Sequence, residues 1–308
     1  MGYKMVESFI EKLRCDTFLS LETTPMHEPT FEPIIEKIAS LKLDQKVDGF
    51  STTDNPLARL KYNALMGALK LQQRFHKPVI ATMSMRDRNK LALQSDLLGA
   101  NEHDLRTILC LTGDPAGASD QPQLKGVFEG NSTLLMEIIK CFNAGIDYSG
   151  KPFKTQPKPI YPFAVCNAHA NTPKHLAKKM ATKIAHGAIG IITQPVYSEE
   201  NARMLLELFD EAKTLAGKKE SPCELILGFF PIVHLRTAQF LSAHVPGVHV
   251  PDIWTEKLLH AKKISEDEEK KVGFELSLQT FQTLRRVHPK THIMSANHFE
   301  LIADLLNA

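Results

Sequence analysis

Residues 183–197 read KIAHGAIGIITQPVY. A helical pattern over 173–186 runs into a short apolar, β-branched stretch, 189–194, which stops on Gln194 directly before a proline. The same unit recurs along the chain. Runs at 17–24 (TFLSLETT), 49–54 (GFSTTD), 78–84 (PVIATMS), 107–114 (TILCLTGD), 161–167 (YPFAVCN), 224–231 (ELILGFFP) and 291–296 (THIMSA) bring the candidate strands to eight. Helical periodicity fills the ground between them, at 31–41, 57–75, 199–215 and 266–287. Strand then helix, repeated throughout, calls for parallel pairing with right-handed crossovers, and eight units close most naturally into a barrel. A doubly wound sheet is the alternative, but no GxGxxG or GxxxxGKS/T follows any of the runs. The expected fold is α/β, a (β/α)8 TIM barrel forming a single domain over residues 1–308.

One region breaks the rhythm. A loop, helix and loop excursion at about 115–160 follows the fourth run, on the face where barrel enzymes bind ligands, and reads as a lid or cofactor wall. Composition sets the outer bounds. With 43% hydrophobic and 23% charged residues the 308-residue chain buries a large core, and 37 basic against 35 acidic residues leave a net charge of +2. Such a balance offers no broad field to nucleic acid or an anionic membrane. The five cysteines lie far apart, without a CxxC pair, and read as reduced residues of a cytoplasmic protein. The opening MGYKMVESFIEKLRCD is an amphipathic helix lacking the apolar core of a signal peptide, and no run approaches a membrane span.

Several strands finish on a polar residue closely followed by proline: Glu22 (LETTP), Asp54 and Asn55 (TTDNP), Asp114 (LTGDP) and Gln194 (ITQPV). Polar groups there point into a barrel mouth. Ordinary turn formation explains Asp-Pro and Asn-Pro equally well, but Glu and Gln are not favoured turn residues. Glu22 lies in an otherwise apolar or neutral strand, so lost hydration raises its pKa toward that of a general acid, unless a nearby Arg or Lys satisfies it. Gly113 lets the backbone beside Asp114 approach a flat ligand. Arg86 and Arg88 in MRDRN either meet phosphates or carboxylates or start a solvated helix. His169, His234, His292 and His298 show no metal-binding spacing, and no metal is expected.

Taken in order, LETTP, STTDNP, RDRN, LTGDP, KIAHGAIGIITQPVY and GFFPIV resemble methylenetetrahydrofolate reductase, over about residues 18–297. RDRN and LTGDP resemble in particular the branch fused to or partnered with homocysteine methyltransferases. The resemblance implies a barrel holding a flavin, FAD rather than FMN, with NADH or NADPH and folate taking turns on one flavin face. It implies that Glu22 is the acid that opens the methylene bridge, and that Asp114 sits near the flavin's pyrimidine edge. Gln194 and Asn297 are implied as substrate-binding residues. Thr53, Gly113, Asp114, Asn167, His169 and Lys183 fall at cofactor positions. The chain departs from the pattern at Thr112, where many members have arginine, and at Leu176, where some have a cofactor-holding aspartate. Leu235 replaces a folate-contacting aromatic, and His298 an arginine.

The expected activity is reduction of 5,10-methylenetetrahydrofolate to 5-methyltetrahydrofolate in one-carbon and methionine metabolism, by a homo-oligomer with a possible methyltransferase partner. Two alternatives stand beside it. One keeps the barrel and changes the pterin or one-carbon carrier. The other is a non-catalytic folate-binding partner of a methyltransferase, against which the joint presence of Glu22, Asp114 and Gln194 argues.

Overall fold

The computed structural model describes residues 2–170 and 172–308. Eight parallel strands close into a barrel in chain order: β1 (Phe18–Thr23), β2 (Gly49–Thr52), β3 (Val79–Ser84), β4 (Thr107–Leu111), β5 (Tyr161–Cys166), β6 (Gly190–Pro195), β7 (Glu224–Phe229) and β8 (Lys290–Ile293). Register between β1 and β8 (Ser20 with His292) completes the ring. The helices are α1 (Gly2–Cys15), α2 (Glu32–Ser40), α3 (Ala64–Phe75), α4 (Lys90–Glu102), α5 (Ser132–Asn143), α6 (Pro173–Ala185), α7 (Glu199–Leu215), α8 (Leu235–His244), α9 (Asp252–Ile264), α10 (Glu266–Val287) and α11 (Phe299–Asn307).

Side chains alternate across each strand, so the chain has two apolar cores. The larger lies between the strands and the surrounding helices, where Leu21, Ile108, Ile191 and Leu227 meet Ile38, Leu71, Met180 and Leu205. The smaller is inside the barrel. There α1 closes the end opposite the strand C-termini, inserting Val6, Phe9, Ile10 and Leu13 against Phe18, Ile80, Phe163 and Ile226. Phe9 and Phe18 pack with ring centroids 5.0 Å apart. A side chain at Gly49 would come within 2.7 Å of the Phe9 ring, so β2 accepts the plug only with glycine there. Arg106, fully buried, ties plug to barrel through paired hydrogen bonds to Glu7 at 2.8 and 2.9 Å and one to Asp104 at 2.6 Å.

Two boundaries differ from the pattern read in the sequence. The helix expected over 57–75 begins only at Ala64, where Asn63 accepts the Met66 N–H. Ahead of it the chain makes a tight turn with Asn55, Leu57 and Ala58 at positive φ, a conformation no α-helix contains. The fourth strand ends at Leu111 rather than Asp114, because Gly113 turns the chain out of the sheet at φ 94°. The excursion is anchored over the loop after β3, with Val127 N–H bonded to Arg86 O at 2.7 Å and Phe128 N–H to Met85 O at 3.3 Å. Among the described residues no helix is long and apolar enough to cross a membrane.

Candidate active site

The strand C-termini open into a cleft of about 630 Å³ that reaches outward between β4 and β5 to the facing ends of α5 and α6. Inward-pointing residues form its floor: Glu22 from β1, Thr82 and Ser84 from β3, Leu109 and Leu111 from β4, Val165 from β5, Gln194 from β6 and His292 from β8. Of the residues picked out in the sequence, Glu22, Thr53, Gly113, Asp114, Asn167, Lys183 and Gln194 all line this one cleft.

Glu22 lies deep in it. Among the described residues no Arg or Lys pairs with its carboxyl, and burial alone pushes its pKa up to about 7. Satisfaction by a neighbouring cation is thereby set aside. Behind it, Ser20 and His292 Nδ1 are 2.8 Å apart, while Ser51 reaches His292 Nε2 at 3.5 Å. Burial lowers the His292 pKa to about 4, so its ring is neutral and brings no charge to Glu22.

Gln194 owes its direction to an irregularity in β6. Ile192 pairs with Ile226 and Pro195 with Gly228, so β6 carries one residue more than β7 over this span. Such a bulge re-aims a side chain at the rim of a sheet. The backbone there is held by Thr193, whose hydroxyl donates to Gln194 O at 2.7 Å and accepts the Gly228 N–H at 2.9 Å.

At the other end of the cleft the Lys183 ammonium donates to the Ser132 hydroxyl at the start of α5. Burial lowers its pKa, so an anionic ligand there would compensate the lost hydration. Cys110 and Cys166 stand beside it with their thiols pushed up by burial, Cys166 to about 12, which leaves them unreactive. The Thr53 and Ser84 hydroxyl oxygens are buried and have no hydrogen-bond partner among the described residues. Both belong to residues that line the cleft.

Three of the readings meet a different geometry. Asn297 is not in the cleft lining, and its amide accepts the Thr24 N–H at 2.9 Å and donates to Thr24 O at 2.7 Å. His169 is exposed outside the cleft lining, its ring 5.0 Å from that of His249. The guanidiniums of MRDRN do not await phosphates: Arg86 pairs with Asp87 at 2.7 Å, and Arg88 with Asp54 at 2.6 Å and Asp96 at 2.8 Å. Gly113 is also explained by packing, since a Cβ there would lie 2.8 Å from that of Arg86. The reading of the sequence missed Thr82, Ser84, Ser132 and Lys179 as cleft residues. Strand alternation carried a signal for the first two; nothing local pointed to the others.

The family model for methylenetetrahydrofolate reductase matches residues 7–308. The chain belongs to the methylenetetrahydrofolate reductase family. No curated protein matches it. Among solved structures, a Clostridium thermocellum protein that binds two copies of 5-methyl-5,6,7,8-tetrahydrofolic acid is similar at TM-score 0.60 and 13% identity, over 98% of this chain and 97% of that one. An F420-dependent secondary alcohol dehydrogenase in complex with an F420-acetone adduct is similar at 0.58 and 13%, over 94% and 97%. DmoA from Hyphomicrobium sulfonivorans is similar at 0.57 and 10%, over 94% and 86%. At these identities the likeness is one of fold. Membership of the reductase family supports a folate-related oxidoreductase.

Departures from the reductase pattern have structural counterparts. The Thr112 hydroxyl accepts the Ser132 N–H at 3.2 Å, joining the loop after β4 to the start of α5. Leu176 is a core residue at 1% exposure and cannot reach a ligand. Leu235, at 7%, is likewise turned into the core. Among the described residues no group of three or more His, Cys, Asp or Glu could hold a metal ion.

Proposed function

We propose that this chain is a flavin-dependent methylenetetrahydrofolate reductase, using NADH or NADPH to convert 5,10-methylenetetrahydrofolate to 5-methyltetrahydrofolate in the cytoplasm. The observation that carries the reading is Glu22: a desolvated carboxyl with a pKa near 7, unpaired, on the floor of a polar-rimmed cleft in a member of this family. Such a group holds a proton at neutral pH and can deliver it, which opening the methylene bridge requires.

The cleft suits a flavin. The unpartnered hydroxyls of Thr53 and Ser84 would find acceptors on it, and Lys183 with Ser132 would meet its phosphate. A bound flavin would supply hydride chemistry, accepting from the nicotinamide and donating to the folate's one-carbon unit. Asp114 would set a negative charge against the reduced anionic form, and Gln194 would orient the pterin through its amide. FAD is the favoured form, because the cleft runs beyond Lys183 along Thr182 and Lys179. The reading extends to a homo-oligomer and to a methyltransferase that consumes the product.

Denaturing the purified protein and chromatographing the released cofactor tests this directly, alongside a folate-dependent NAD(P)H oxidation assay. FAD with folate-dependent turnover is the expected result. FMN would change only the cofactor's identity, while no flavin after incubation with FAD would overturn the reading.

A further inference from the structure

We infer that Arg86 is a positioning residue for the flavin chemistry: from behind the cleft mouth it fixes where the Asp114 carboxylate stands, and so how strongly that charge acts on a bound flavin. The inference rests on the flavin-dependent reading above. Arg86 is 1% exposed and outside the cleft lining, whereas Asp114 is part of it. Two separate holds run from one to the other. The first passes through the stem of the arginine. Gly113 sits against it so closely that a Cβ on the glycine would lie 2.8 Å from that of Arg86, and Asp114 is the next residue. The second passes through the guanidinium, whose Nη2 donates to Asn55 O at 3.0 Å. Asn55 opens the left-handed turn in which Leu57, two residues on, gives its N–H to the Asp114 carboxylate at 2.6 Å. Arg86, Gly113, Asp114, Leu57 and Asn55 therefore form a closed circuit, which holds Asp114 through the backbone on one side and through a carboxylate oxygen on the other.

The charge of Arg86 is matched elsewhere. Its Nε and Nη2 meet the two oxygens of Asp87 at 2.8 and 2.7 Å, a paired geometry that fixes the guanidinium plane. Those hydrogen bonds raise the Arg86 pKa against the cost of burial, with Asp54 and Asp114 adding to the effect, so the side chain stays charged. Asn55 Nδ2 also donates to Asp87, at 3.4 Å, and Asn55 Oδ1 accepts the Lys61 N–H at 2.9 Å. Arg86 and Asp87 thus make a neutral unit. Asp114 has no cation paired with it among the described residues, so its charge is the one left facing the cleft. Lysine cannot reproduce the arrangement, because a single ammonium on a flexible stem does not hold two carboxylate oxygens and a carbonyl in one plane.

The test measures the midpoint potential of the bound flavin in the full chain, in Arg86→Lys, in Asp114→Asn and in the double variant. Arg86→Lys keeps the positive charge and removes the geometry. Its potential should rise by part of the Asp114→Asn shift, because a carboxylate released from the turn moves toward water, where its charge is screened. In the Asp114→Asn background the same change should add nothing. An unchanged potential in Arg86→Lys, or an equal shift in both backgrounds, overturns the inference, since a purely structural role lowers the thermal midpoint without any dependence on Asp114. Should Arg86→Lys fail to fold, Asn55→Gly loosens the turn from its half-buried side while keeping the left-handed backbone, and the same comparison decides. Amide hydrogen exchange at Leu57 in the flavin-free protein reads the hold by itself: it should quicken in Arg86→Lys and in Asn55→Gly, and wild-type protection in both overturns the circuit. If Asp114→Asn leaves the potential unmoved while Leu57 exchange behaves as expected, the place given to Asp114 beside the flavin is wrong and the inference falls with it. If the protein takes up no flavin at all, the reading of function falls first.

Discussion

The Asp114 carboxylate accepts the backbone N–H of Leu57 at 2.6 Å, tying the loop after β4 to the left-handed turn after β2 across the cleft mouth. Leu57 is held at φ 56°, between Asn55 at 44° and Ala58 at 54°. Non-glycine residues in this region are costly, and they persist where surrounding contacts fix them. Here those contacts are Asp114, the Arg86 guanidinium on Asn55 O, and the Ser119 hydroxyl on Ala58 O. Asp114 thus has a scaffolding duty beside the electrostatic one proposed for it.

Asp114→Asn separates the two duties. An amide oxygen can still accept from Leu57, so the turn and the bound flavin should be retained. Loss of the negative charge should make the reduced anion easier to form and raise the flavin's midpoint potential. A spectroelectrochemical titration showing an unchanged or lower potential would remove Asp114 from the pyrimidine edge.

Glu22→Gln should divide the two half-reactions. Flavin reduction by the nicotinamide needs no proton on folate and should survive nearly intact. Oxidation by methylenetetrahydrofolate should slow by about 10²- to 10⁴-fold, the usual loss for general acid catalysis. Stopped-flow traces of each half-reaction decide it, and equal slowing of both would make Glu22 structural. In the wild type the folate half-reaction should fall away as pH rises above about 7, where the acid form is lost.

The same shift bears on stability. Glu22's folded pKa of about 7 lies above its ordinary value of 4.5, so folding favours the protonated form. That advantage is complete below the ordinary value, declines as pH rises toward 7 and is gone above it. Across this window the wild type should lose up to about 3 kcal/mol that Glu22→Gln does not lose. Urea midpoints of both proteins at about pH 5 and about pH 8 would show whether the difference exists.

Gly113→Ala should cost about 1 to 3 kcal/mol, since alanine would have to hold a φ of 94° and meet the Arg86 side chain. A thermal midpoint equal to that of the wild type would mean that the turn relaxes without penalty.

Arg88→Met should destabilise more, by about 3 to 5 kcal/mol, because it leaves the buried Asp54 carboxylate without its ion pair, the Ser84 N–H being its remaining hydrogen bond among the described residues. Adding Asp54→Asn should recover part of the loss. Denaturation showing no recovery would place the cost in packing rather than charge.

The barrel was legible because its strands repeat one local pattern, and each apolar run contains or overlaps the strand that forms. Where the reading failed, the deciding partner was distant in sequence or lay in backbone geometry. Residues 57–63 have helical periodicity, but Asn63 caps the helix and the turn before it is held from Asp114. Arg86 and Arg88 look available because their carboxylates at 54, 87 and 96 come together only on folding. Asn297 could not be seen as a brace, since Thr24 lies at the other end of the chain. Glu22 was the reverse case, for an uncharged strand around a lone carboxylate already states its desolvation.

Helix α1 precedes every strand, yet its socket is assembled from Phe18, Ile80, Phe163 and Ile226, contributed by β1, β3, β5 and β7. During synthesis the apolar face of α1 therefore waits until β7 has emerged before its socket is complete. Over that interval Val6, Phe9, Ile10 and Leu13 are a sticky surface on a ribosome-bound chain, suited to holding by a chaperone. The last covering step comes late as well: Lys290 of β8 donates to Arg14 O at 3.2 Å, so the final strand fastens the first helix. Seating of the helix is thus coupled to closure of the ring, and a helix made before every strand of its socket is among the last elements to find its place.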